Sequence, residues 1–167
     1  MSTKKLTQLS LLTGAALILY VIEMRLPSLV PVPGVKLGLA NIITVVAIYR
    51  FRFSETALLV GVRIFLGTLF AGSMSALLFS ASGGVLCLVG MGLLKKVIPR
   101  RYLPLSSVFG AILHNIGQMG AAVLVLKSPG VLVYLPVLMV SGCITGLFTG
   151  VCASMVEKRL KCEKSLK

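Results

Sequence analysis

Residues 105–126, LSSVFGAILHNIGQMGAAVLVL, are long and apolar enough to cross a bilayer as one helix, yet His114, Asn115 and Gln118 interrupt their middle. A strongly polar side chain at that depth costs roughly 2.5 kcal/mol or more, so it turns toward a bundle interior, a cavity or a partner. His114 and Gln118 lie four residues apart and share a helix face, which Asn115 borders. The stretch therefore reads as a membrane helix with one wall turned away from lipid.

The rest of the chain has the same character. Of 167 residues, 57% are hydrophobic and only 13% charged, a composition that cannot keep water over a globular surface. Expected spans are residues 6–22, 37–49, 55–70, 76–94, 105–126 and 131–156, an all-α, polytopic six-transmembrane-helix bundle that makes residues 1–167 a single integral membrane domain. With about 20 residues set aside per span, too little chain remains for an extramembrane catalytic domain. The second span is short. At ~1.5 Å rise per residue it cannot cross a ~30 Å core unaided, so it is either sheltered by neighbours or begins beneath the outer surface.

Orientation follows from Lys and Arg in alternate loops. One side carries Lys4, Lys5, Arg50, Arg52, Lys95, Lys96, Arg100, Arg101, Lys158, Arg159, Lys161, Lys164 and Lys167, against Arg25, Lys36 and Lys127 on the other. That asymmetry predicts a multi-pass protein of a bacterial cytoplasmic membrane with both termini in the cytoplasm. It also accounts for the net charge of +13 without nucleic acid, because the basic residues anchor short loops and a tail suited to anionic lipid, with no aromatic stacking platform beside them. Lys4 and Lys5 before an apolar run would also suit a signal peptide, but no small-x-small cleavage pattern follows, and a retained helix is expected. Cys87, Cys143, Cys152 and Cys162 have no C-x-x-C or metal spacing, so no disulfide, metal or other cofactor is expected.

Arg63 sits near the middle of the third span, at the depth of His114 and Asn115. Glu23, Arg25, Lys36 and Asn41 fall at the outer end of the first span, the following loop and the start of the second. A pocket opening outward serves these groups together. Arg63 supplies a planar fork for carboxylate or phosphate, Lys36 a mobile ammonium, and Asn41, Asn115 and Gln118 amides that read donors and acceptors, which suits an anionic or strongly polar small molecule. The competing reading is structural: Glu23 pairs with Arg63, and the other polar groups hold helices together. In the fourth span, Ser80 opens Ser-Ala-Ser-Gly-Gly, either an unwound segment that offers backbone to a ligand or a helix packed closely through glycine. Residues 27–34, PSLVPVPG, form a stiff outer loop that could cover a cavity. Gly142, Gly146, Gly150 and Ser154 recur every four residues in the sixth span, a small-residue stripe for helix packing within the bundle or for docking a partner subunit.

Residues 33–41, PGVKLGLAN, and 114–118, HNIGQ, together resemble the family called heptaprenyl diphosphate synthase component I, also labelled the Gx transporter family. The resemblance covers nearly the whole chain. It implies kinship with the substrate-binding S components of energy-coupling-factor transporters: six membrane helices, cytoplasmic termini, a pocket near the outer face, the loop between helices one and two as a lid, and a separate transmembrane partner with ATPases. An S-component helix one docks through alanines spaced by three, whereas this chain has Gly14-Ala15-Ala16 followed by Leu19 and Tyr20.

The enzyme label and the transporter label can be weighed chemically. Prenyl diphosphate synthases gather aspartates around magnesium to neutralise the departing diphosphate. This chain contains no aspartate, and its four acids, Glu23, Glu55, Glu157 and Glu163, are dispersed, so no catalytic residues are expected. Phosphate-binding loops of the G-x-x-x-x-G-K type are likewise missing, so any energy source is external. Two readings remain: a subunit that binds a small molecule for uptake, and a non-catalytic membrane scaffold beside a prenyl synthase or redox membrane module of isoprenoid quinone synthesis.

Overall fold

The computed structural model describes residues 3–25, 39–71 and 74–165. Among them the chain is all helical, with six α-helices: α1 (Thr3–Arg25), α2 (Leu39–Arg50), α3 (Phe53–Ala71), α4 (Met74–Val97), α5 (Leu103–Leu126) and α6 (Leu135–Ser165). Every one except α2 belongs to an apolar stretch long enough to cross a membrane, which makes this a membrane protein. Exposed Leu11, Ile18, Phe65, Leu69, Val85 and Leu93 give the outer wall the apolar surface that lipid requires.

Each expected span coincides with a helix to within a few residues, except the sixth, whose helix starts later than residue 131 and runs past residue 156 to Ser165. Before it, Pro129–Tyr134 form a separate 3-10 turn, and α6 begins only at Leu135. Pro136 explains the break, since proline is tolerated in a first helical turn but not inside a continuous helix. At the end of α5, Lys127 adopts a left-handed conformation with φ of 48° and stops that helix.

The helices close a circle. α1 packs on α2 and α3, α3 on α4, α4 on α5, α5 on α6, and α6 returns to α2. The short α2 also touches α3 and α4. Eight of its twelve residues are buried, so neighbours shelter a helix only ~18 Å long at ~1.5 Å per residue.

Small residues set the closest approaches. A Cβ on Gly146 would stand 2.7 Å from the Val108 Cα, and one on Gly150 would stand 2.5 Å from the Pro104 Cα. Gly142 lies against Asn115 and Ala111. The small-residue stripe of α6 is thus seated on α5 backbone, while Ser154 turns its hydroxyl back to the Val151 carbonyl of its own helix.

Polar ties fasten one end of the circle. Lys5 Nζ lies 3.3 Å from Glu55 Oε1, and Arg50 lies 3.8 Å from Glu157. Glu55 Oε2 also accepts the Arg52 backbone N–H at 3.0 Å, capping the start of α3. Lys95 Nζ donates to the Ile48 and Phe51 carbonyls, a cation on the C-terminal end of α2.

Candidate functional site

The circle of helices surrounds a partly open cavity of about 480 Å³. Every helix contributes to its wall, and so does the 3-10 turn through Tyr134. Of the residues singled out in the sequence, Glu23, Asn41, Arg63, Ser80, His114, Asn115 and Gln118 all line this one space. Lys36 and the loop of residues 27–34 lie outside the described residues.

Arg63 anchors the polar part. Only 8% of it is exposed, and its Nη1 donates to Asn41 Oδ1 at 3.2 Å, tying the middle of α3 to the start of α2. Its charge acts on Glu23 and Tyr20 of α1, Cys87 of α4 and His114 of α5, so three other helices feel a single guanidinium. Glu23 is buried too, and a carboxylate close to a buried guanidinium lowers the cost of holding either charge out of water. The other guanidinium donors keep the fork geometry that grips carboxylate or phosphate.

His114 and Gln118 share the α5 face turned to α4, as their spacing requires. Gly83 makes that contact possible, because a Cβ there would come within 2.8 Å of both Gln118 Cγ and the His114 carbonyl oxygen. The His114 ring stands there too, with its Cε1 2.9 Å from the same Cβ position. The Ser80–Gly84 segment stays within the continuous helix α4, and of the two readings of that segment close glycine packing is the one observed. Glycine satisfies it without breaking backbone hydrogen bonds inside the bundle.

Asn115 does a different job. Its Nδ2 donates to the Leu138 carbonyl of α6 at 2.7 Å, so this amide spends a donor on helix pairing even as it borders the cavity.

Gly83→Ala tests this arrangement. One added methyl meets a backbone oxygen that cannot yield, so α4 and α5 must part or His114 and Gln118 must leave their positions. The expected loss is about 1–3 kcal/mol of stability, read as a lower melting temperature in detergent. Gly61→Ala, with nothing within 4 Å of the new Cβ, should melt like wild type.

Several cavity residues were not anticipated from the sequence. Tyr20, Thr44, Cys87, Met91, Thr145 and Thr149 all line the wall. Thr44 stands three residues after Asn41 and Tyr20 three before Glu23, so one helical turn from a recognised polar residue was the signal available. Gly67 permits the Tyr20 position, since its absent Cβ would lie 3.0 Å from the Tyr20 ring. Among the described residues no group of three or more His, Cys, Asp or Glu side chains gathers as a metal site would require.

Compared with known proteins, residues 12–156 match the family model described as heptaprenyl diphosphate synthase component I. No curated protein and no solved structure matches the chain.

Proposed function

The chain belongs to the heptaprenyl diphosphate synthase component I family, and from that membership and its polar cavity we propose a membrane-embedded, substrate-binding subunit for uptake of a small polar or anionic molecule. In this reading the protein crosses a bacterial cytoplasmic membrane six times, with α2 completing the set inside its neighbours. The basic end, where α1 starts and α6 finishes, faces the cytoplasm, as the distribution of Lys and Arg favours. Like the S components of energy-coupling-factor transporters, it takes its energy from a separate transmembrane partner with ATPases. Lys36 and the loop before α2 would serve the mouth of the site.

One observation carries the proposal: polar side chains from all around the circle converge on a space of about 480 Å³, within the ~300–1,000 Å³ range of small-molecule pockets. Helix pairing alone does not call for a shared space of that size. Catalysis is not part of this reading, because the chain has no aspartate. Glu55 and Glu157 are engaged with Lys5 and Arg50 at one end of the bundle, away from the cavity wall.

The family description favours a second reading, a non-catalytic membrane component that holds a prenyl synthase or redox module at the bilayer. Native mass spectrometry of gently extracted protein separates the two. Under the first reading wild type carries one small molecule, and Gln118→Ala holds it about tenfold less well through loss of an amide contact. Wild type empty of small molecules but joined to a soluble synthase would establish the second.

A further inference from the structure

Helical threonines in this bundle usually satisfy their hydroxyls at home. Thr13 donates to the Leu9 carbonyl, Thr68 to Ile64, Thr145 to Ser141 and Thr149 to Gly146. Thr44 differs. It is only 4% exposed, its Oγ1 has no hydrogen-bond partner among the described residues, and it lines the cavity. A buried hydroxyl without a partner is costly, and buried polar groups are normally matched.

The position of Thr44 indicates what would match it. Asn41, which accepts from Arg63, stands one turn earlier on the same face of α2, so Thr44 lies ~4.5 Å further along the helix toward its C-terminal end. By their positions along α4, α5 and α6, the lining residues Met91, Ser107 and Thr149 belong to the same end of the bundle as the C-terminal half of α2; they carry no formal charge, and the Ser107 and Thr149 hydroxyls bond each other at 3.0 Å. An ionised group would find no counter-charge there, whereas a neutral acceptor would find a waiting donor.

We propose that this deeper part of the cavity is a second, uncharged subsite, in which the Thr44 hydroxyl donates to a neutral acceptor such as a carbonyl, ether or ring nitrogen. The bound molecule is then two-ended, with an anionic or strongly polar group at Arg63 and a neutral acceptor one helical turn deeper. This rests on the binding function proposed above.

The test uses the small molecule that wild-type protein carries out of its membrane, identified by accurate mass and then titrated as the pure compound. Thr44→Val keeps the side-chain shape but removes the hydroxyl, and Thr44→Ser keeps the hydroxyl. Expected results are about tenfold weaker binding for Thr44→Val and binding within about twofold of wild type for Thr44→Ser. Empty Thr44→Val protein should melt no lower than empty wild type, because the lost hydroxyl has no partner to abandon among the described residues. Equal binding by wild type and Thr44→Val overturns the subsite while leaving the Arg63 site intact. A wild type that carries no small molecule overturns both.

Discussion

Arg63→Ala protein should hold its small molecule about a hundredfold less tightly than wild type. A buried guanidinium supplies charge-assisted, forked hydrogen bonds, each contributing about 1.5–3 kcal/mol, or roughly 10- to 150-fold in affinity. The variant should also melt lower, for a separate reason: Glu23 is buried within reach of the Arg63 charge, and a buried carboxylate that loses a nearby cation costs more to hold out of water. The double variant Arg63→Ala with Glu23→Gln separates the two effects. Neutralising Glu23 should restore most of the melting temperature without restoring binding, as read by thermal melting and native mass spectrometry on the same samples. If the double variant binds as wild type does, Arg63 is only a structural partner of Glu23.

Gly150→Leu should prevent the bundle from forming. At Gly150 even a methyl group would stand 2.5 Å from the Pro104 Cα and 3.1 Å from its carbonyl oxygen, and backbone cannot step aside as a flexible side chain can. Overpacking at an ordinary core site costs about 1–3 kcal/mol, and a branched side chain between two helix backbones should exceed that range. The α5–α6 pair also carries the Ser107–Thr149 and Asn115–Leu138 hydrogen bonds, which would part together. Loss of a single sharp peak on size-exclusion chromatography is the expected readout. Gly14→Ala, where nothing lies within 4 Å, should elute unchanged. A well-folded Gly150→Leu that merely fails to associate with another membrane subunit would instead assign the stripe to an external partner.

Helix positions were legible because apolar runs and their proline, glycine and basic punctuation obey bilayer thickness. One exception, the 3-10 turn before α6, arose where Pro129 and Pro136 bracket an apolar segment that hydropathy alone cannot divide; another, the run of α6 on to Ser165, lies in a charged stretch that no apolar pattern marks. Polar residues at membrane depth were legible for a related reason: Arg63, His114 and Gln118 stand out in an apolar background because lipid penalises them. Thr44 did not stand out, since a threonine hydroxyl in a helix can bond its own backbone, and only the fold reveals that this one does not. Asn115 shows the converse limit. Its spacing placed it at the border of the His114–Gln118 face, and it lines the cavity there, yet its donor reaches Leu138, a partner that no local periodicity specifies. The role of Gly83 likewise depends on which turn of α5 lies opposite, a long-range fact.

An experimental density map of protein taken gently from its own membrane, inspected in the cavity between Arg63 and Thr44, tests the central claim most directly. The account predicts compact non-protein density within hydrogen-bonding distance of the Arg63 guanidinium and bordered by His114 and Gln118. A cavity filled by a lipid acyl chain, or closed by its own side chains, would contradict it.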